Sequence, residues 1–201
     1  MAEDKKVRQQ KSKKRAVDKW KKKTWFTIYA PAEFERKILG ETVSEKPETL
    51  KGRTISASLR DLANQIKKQH ISIKFKVTEI KGDKAYTEAV GHEIKGSYLK
   101  RMSRRRSSKV ERVQVIKLKD GANAKIKSVI ITARKTTAKR KTALGKILDE
   151  EIRKFISKLS SEKLVYDIVF GNVEARIFKE VKKVAPVKKI EIVKSSISKS
   201  K

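Results

Sequence analysis

The sequence predicts an α+β fold: a mostly antiparallel, barrel-like sheet, one long amphipathic helix, shorter helices and basic terminal extensions. Three observations carry this expectation. Segments 71–92 and 113–131 alternate apolar and polar residues with period two and reverse at Gly-containing loops. Segment 137–159 repeats apolar residues at spacings of three and four. Strand-like and helix-like segments do not alternate as βαβ units would require.

The elements follow in order. Residues 1–23 carry eleven Lys or Arg and three acids. Their few apolar residues, Trp20 among them, offer too little surface to offset the entropy of ordering, so an arm disordered when free is expected. The composition changes at Thr24, and a single domain is expected over 24–193. Trp25, Phe26, Ile28 and Tyr29 read as a strand stopped by Pro31. Residues 40–52, with Gly40, Pro47 and Gly52, read as a loop. Arg53–Ala57 reads as a short strand, and Ser58–Leu62 as a short helix with Ser58 as N-cap.

In the first hairpin, Ile71, Ile73, Phe75, Val77 and Ile80 alternate with Ser72, Lys74, Lys76 and Thr78. Lys81–Lys84 supplies the turn and Ala85–His92 the return. Residues 96–109 read as a short basic helix. The second hairpin passes Val113, Val115, Ile116 and Leu118, turns at Asp120–Asn123, and returns through Ile126 and Val129–Ile131. The long helix lines up Ala143, Leu144, Ile147, Leu148, Ile152, Phe155, Ile156 and Leu159, with Gly145 as a weak point inside it. Glu162–Phe170 reads as a helix ended by Gly171 and Asn172. Val173–Val184 and Val187–Val193 read as two strands separated by Pro186, and 194–201 as a charged tail.

The charge bounds the function. The 201 residues hold 54 Lys and Arg against 23 Asp and Glu, a formal net charge of +31. A compact chain this positive repels itself unless a polyanion neutralises it: nucleic acid, an anionic membrane or a very acidic protein. The lack of Cys excludes disulfides, thiolate metal sites and a Cys nucleophile. The two histidines, His70 and His92, have no His or Cys near them in sequence. Each reads as a partly exposed or strand-edge side chain, because a metal site needs three or four convergent ligands. No apolar run approaches the ~20 residues that span a bilayer, and the N-terminus has no apolar secretory segment. Gly91 and Gly96 have the first half of phosphate-loop spacing, but Ser97 stands where the Lys is required. Asp149, Glu150 and Glu151 point in different directions on a helix and read as surface partners for Lys and Arg. No cofactor is expected, and nothing argues for an enzyme. A membrane reading fails because the one apolar helix face is needed for the core and the arm has no Leu or Phe to insert.

Four basic clusters remain. The first is the arm, with Arg8, Lys11, Lys13, Lys14, Arg15, Lys19, Lys21, Lys22 and Lys23. The second is Lys100, Arg101, Arg104, Arg105, Arg106 and Lys109, in a stretch (94–110) without an acid. The third is Arg134, Lys135, Lys139, Arg140, Lys141 and Lys146, at a strand-to-helix passage. The fourth runs from Lys179 to Lys201. A single run would read as a solvated surface. Runs of cations without anions leave self-repulsion uncompensated, and the Arg fork meets phosphate oxygens in pairs. The third cluster also precedes a helix whose first-turn N–H groups favour phosphate. Trp20 either stacks on a base or packs on the domain.

Residues 25–34 (Trp-Phe-Thr-Ile-Tyr-Ala-Pro-Ala-Glu-Phe), then Leu50–Arg53 and Ser58–Leu62, resemble the small-subunit ribosomal protein family of archaea and eukaryotes designated "S-three-A-e". The later order of elements matches over roughly 16–193. The resemblance implies a non-enzymatic, cytoplasmic component of the small subunit with a β-barrel-like core. It implies a seat on the platform near the messenger exit and the rRNA 3′ end, with small-subunit rRNA, neighbouring ribosomal proteins and messenger RNA as partners and no membrane. Trp25, Pro31 and Phe34 match motif positions and are expected to pack rather than touch RNA. The chain is shorter than eukaryotic members, and with its Lys-, Glu- and Ile-rich composition this suggests an archaeal source. A free RNA-binding regulator or RNA chaperone is the alternative function.

Overall fold

A computed structural model describes residue 20, residues 22–170 and residues 173–198. The elements are β1 (Thr24–Tyr29), β2 (Ile38–Ser44), β3 (Thr54–Ser58), α1 (Leu59–Ala63), β4 (Ile71–Lys81), β5 (Lys84–Ile94), α2 (Gly96–Met102), β6 (Lys109–Lys117), β7 (Asn123–Thr132), α3 (Ala138–Ile156), α4 (Ser161–Phe170), α5 (Val173–Lys182) and β8 (Val187–Ser198). The Ser58 hydroxyl accepts from the Arg60 N–H at the start of α1, as the N-cap reading requires.

The fold is α+β, and its eight strands form one mixed sheet. The main path is β2-β1-β5-β8-β7-β6, with β4 also paired to β5 and β3 to β4. All pairs are antiparallel except β1 with β5. The path does not close, which corrects the barrel expectation. The reason lies in β5. Along one edge it pairs with β4 over most of its length; along the other it is shared, with Lys84–Tyr86 against β1 and Gly91–Glu93 against β8. The sheet therefore branches instead of curling back. Among the described strands, β8 is the sole link between the β6–β7 pair and the rest.

Two cores lie on opposite faces of β7. Ile126 and Ile130 pack with Leu144, Leu148, Ile152 and Ile156 of α3 and with Ile177 and Val181 of α5. Val129 and Ile131 pack with Phe34, Ile73, Phe75, Val165 and Val169. Burial on both faces explains the unbroken apolar run Val129–Ile131.

Four sequence expectations are corrected. Residues 40–44 belong to β2 rather than a loop. Gly40, at φ 151° beside a bulge at Ile28 and Tyr29, supplies backbone freedom that the turn-like composition had suggested for a loop. Val173–Lys182 is α5 rather than a strand, and buries Val173, Ile177 and Val181 at a spacing of four. Residues 194–198 continue β8 rather than starting a tail, because β5 and β7 offer hydrogen-bonding edges on either side. The helix α2 stops at Met102, so Arg104–Arg106 lie in the turn beyond it, with Arg106 at φ 68°.

Candidate nucleic-acid interface

The second and third clusters, about thirty residues apart in sequence, meet in space. Arg104–Arg106 lead into β6, and Arg134 and Lys135 leave β7. Lys109 pairs with Ile131 across the antiparallel register, which brings the two loops side by side. Hydroxyls lock them. The buried Thr132 Oγ1 accepts from the Ser108 N–H at 2.9 Å and lies within donating reach of the carbonyls of Ser108 (3.1 Å) and Arg134 (2.7 Å). The Ser108 hydroxyl accepts from the Thr136 N–H at 3.1 Å. A third loop joins them: the Ala133 N–H donates to the Pro186 carbonyl at 2.8 Å. That loop carries Lys182 and Lys183 on one side and Lys188 on the other.

Helix α3 starts at this same end. Its N-cap, Thr137, makes no side-chain cap bond, and its first turn holds no acid. Lys139 and Arg140 are exposed there and Lys141 is half-buried. An N-terminus with uncapped N–H groups and cations instead of acids inverts the usual charge pattern, and leaves the helix end suited to an external anion.

Carboxylates are scarce here. The sequence has no acid between Asp120 and Asp149. Among the described residues, Lys100, Arg101, Arg104, Arg105, Arg106, Arg134, Lys135, Lys139, Arg140 and Lys141 form no ion pair. Lys109 is different. It pairs with Glu111, which also takes Lys127 at 3.0 Å, and hydrogen bonds from these two ammonium groups hold the Glu111 carboxyl below its usual range. Lys183 pairs with Glu180.

Apart from Lys182, Lys183 and Lys188 of the fourth cluster, the other clusters do not join this end. Arg8, Lys11, Lys13, Lys14, Arg15, Lys19 and Lys21 lie outside the described residues. Lys22 and Lys23 are exposed just before β1. Between β1 and the basic end lie Lys84–Glu93 of β5 and Lys127–Ile131 of β7, about 40 Å of strand at ~3.3 Å per residue. The fourth cluster is partly consumed internally: Lys189 pairs with Glu191 at 2.6 Å and Lys194 with Glu93 at 3.7 Å.

The histidines and acids converge elsewhere, around a cavity of about 170 Å³ between α2, α5 and β8. His92 is fully buried rather than at an exposed edge. Its Nε2–H donates to the Ile192 carbonyl at 2.6 Å, and its Nδ1 accepts from the Ser195 hydroxyl at 2.6 Å. Burial pushes its pKa down, in keeping with this neutral arrangement. The His70 ring stacks on Tyr98 at 3.6 Å. Lys189 donates to Tyr98, and the Tyr98 hydroxyl donates to Glu191 at 3.3 Å. Burial, and then the Glu191 charge, push Glu174 up to about 7. The polar groups serve one another, as a structural network does. Among the described residues no group of three or more His, Cys, Asp or Glu is placed to hold a metal, and no helix is long and apolar enough to cross a membrane.

Trp25 corrects the packing expectation. It is 63% exposed on β1, and Trp20 is 67% exposed with the Lys23 ammonium 4.0 Å over its ring. Phe34 is buried as expected.

Fold and surface together define a basic α+β protein whose cations converge from three loops and a helix end. The sequence pattern of the Ribosomal S3Ae family matches residues 11–201, and the chain belongs to that family. It is similar to small ribosomal subunit protein eS1 of Methanococcus vannielii, 35% identical over 192 residues, which is 96% of this chain and 87% of that protein. Over 187 residues it is 30% identical to eS1 of Methanobrevibacter smithii, covering 93% and 97% of the two chains. For eS1 of Methanothermobacter thermautotrophicus the identity is 32% over 185 residues, 92% and 95% of the chains.

The convergence of clusters two and three was readable in principle. One precedes the first strand of a hairpin and the other follows its second strand, so antiparallel pairing brings them together. Lys182, Lys183 and Lys188 gave no such signal, since their place depends on α5 being a helix.

Proposed function

We propose that this chain is a structural, non-enzymatic protein of the small ribosomal subunit that holds rRNA by its backbone at the basic end. The observation that carries the reading is the hydroxyl-locked convergence of two acid-free cation loops beside an uncapped helix N-terminus. Fixed cations of this kind position phosphates without reading sequence. Family membership supports rRNA over other polyanions. In this reading the protein works in the cytoplasm, within the ribosome, and its partners are rRNA and neighbouring ribosomal proteins. The finer placement, on the platform near the messenger exit and the rRNA 3′ end, is the one implied by the family resemblance.

The test is the salt dependence of binding to a small-subunit rRNA fragment. Each neutralised phosphate adds about 0.7–0.9 to the slope of log affinity against log salt. Changing Arg104, Arg105 and Arg106 together to Ala should lower that slope by about 2–3 and weaken binding evenly across RNA sequences. A slope equal to that of the unaltered chain would remove the basic end from the interface.

A further inference from the structure

We propose that the outer face of the β2-β1-β5-β4 strands, at the opposite end of the sheet, binds single-stranded RNA by stacking unpaired bases on Trp25, Tyr29 and Tyr86. The register defines the face. Phe26 and Ile28 of β1 are buried, so Trp25, Thr27 and Tyr29 point the other way. Trp25 stands opposite Val43, and Tyr29 opposite Ile38. On the other side Thr27 is level with Lys84 and Tyr29 with Tyr86, and these in turn are level with Lys81 and Glu79 of β4. Three aromatic rings thus share one surface with Lys81 and Lys84.

The rings already sit beside cations. Tyr29 and Tyr86 stack with centroids 6.0 Å apart. The Lys84 ammonium lies 5.9 Å from the Tyr29 ring, and Lys81 lies 5.7 Å from Tyr86. A cavity of about 350 Å³ adjoins Tyr86 and is lined by Pro31, Arg36, Glu79 and Lys81. That volume is at the small end of ligand pockets. Of the carboxylates here, Glu79 is paired with Lys81 at 3.6 Å and Glu41 stands opposite Thr27, while Arg36 and Lys84 add positive charge beside the two Tyr rings. A sheet face carrying aromatic rings for bases, with cations beside them for the linking phosphates, is the arrangement that captures unpaired nucleotides. A paired helix keeps its bases stacked inside and offers these rings nothing to stack on. A fully apolar partner face would leave the Lys side chains without counter-charges.

This site is separate from the basic end in place and in ligand, and one experiment distinguishes them. Anisotropy of fluorescein-labelled decauridylate and of a labelled ten-base-pair RNA duplex would be measured on the full chain, with tryptophan emission as a second signal. Trp20 and Trp25 are the two tryptophans of the chain, so both report from this end. Decauridylate should quench the emission. Trp25→Ala should weaken decauridylate about five- to hundredfold and leave the duplex unchanged. Lys84→Glu, which leaves the rings in place, should weaken decauridylate as well. Arg104, Arg105 and Arg106 changed to Ala should weaken the duplex. If Trp25→Ala and Lys84→Glu both bind decauridylate like the unaltered chain, the stacking site is overturned, whatever the duplex shows. If only the Arg variant fails to act, the stacking site stands and the backbone interface falls. Oxidative footprinting of assembled small subunits gives a second arm. Trp25 protected until RNase treatment supports the site; Trp25 still protected after it assigns the face to a protein and overturns the proposal.

Discussion

At the β6–β7 end the cations stand on loops and a helix start, include Arg104–Arg106, Arg134 and Arg140, and have few carboxylates among them. At the β1 end they are mostly Lys, stand on or beside strands, and have aromatic rings next to them. The same excess of positive charge thus produces two surfaces with different chemistry. Arg forks on locked loops suit phosphate oxygens, whereas a ring with an ammonium at its side suits an exposed base. Net charge cannot separate these cases. What separates them is the company each cation keeps, and that is set by strand register.

The strongest way to break the comparison is to break the joint between the ends. At Gly91 an added Cβ would lie 2.1 Å from the Ser195 carbonyl oxygen, a backbone atom that cannot rotate aside. Gly91→Ala should push β8 off β5 and loosen the two hydrogen bonds between His92 and Ser195, one donated by the His92 N–H and one by the Ser195 hydroxyl. A loss of about 3 kcal/mol is expected, read as a melting temperature lower by about 6–12 °C. Binding at each end should then decline together with folding.

The next effect lies between the ends. The Glu174 pKa, raised to about 7 when folded, means the folded chain holds a proton that the unfolded chain releases near 4.5. Stability from this group is present below the unfolded pKa and is lost as pH rises through about 4.5–7. Glu174→Gln should therefore stabilise at pH 8 by about 2 kcal/mol and change little at pH 4.5. His92 has the opposite slope: its pKa is lowered by burial, so stability falls as pH drops below 6.5. In the Gln variant, melting temperature against pH should show the His92 slope without the Glu174 one. An unchanged profile would mean that Glu174 is charged when folded.

Smaller effects sharpen the contrast itself. Without RNA, the Arg104–Arg106 to Ala variant should melt about 1–3 °C higher in low salt, and the gain should vanish in 1 M salt, because it comes from relieved repulsion. Changing Lys81 and Lys84 to Ala should bring no such gain, since Lys81 already has Glu79 as partner. The smallest expected change is Gly145→Ala. The new Cβ would meet the Arg112 guanidinium at 2.4 Å, and that flexible group can swing away. It would lose its 3.5 Å pairing with Asp149, while the helix gains about 1 kcal/mol from Ala over Gly. Calorimetry should find a net change within about 1 kcal/mol.

The hairpins β4–β5 and β6–β7 and the helix α3 were legible because each combines a long periodic pattern with local pairing. Helix α5 reads as a strand from sequence because Val173, Ile177 and Val181 favour a strand by type, while their spacing of four favours a helix; spacing wins when a helical face meets a core. β2 was missed because an edge strand with mixed burial lacks clean alternation. Residues 194–198 have no strand signal of their own, and their state follows from long-range neighbours alone. Of the candidate site, the residue types and both clusters were readable, and their meeting was implied by the hairpin. The exposure of Trp25 was not, since aromatic type alone argues for burial.

The strand that joins the two parts of the sheet, β8, is made after every other described strand. While the chain is being synthesised, β1–β5 and the β6–β7 hairpin can each form, yet they share no ladder until residues 187–198 arrive. Domains are built from the N-terminus as synthesis proceeds, and long-range strand pairing is slow. A nascent chain lacking β8 would hold its Arg loops and its aromatic face on pieces joined by the packing of Val129 and Ile131 but by no strand ladder. Insertion of this strand joins the two ladders and sets the span and angle between the basic end and the aromatic face in a single late step.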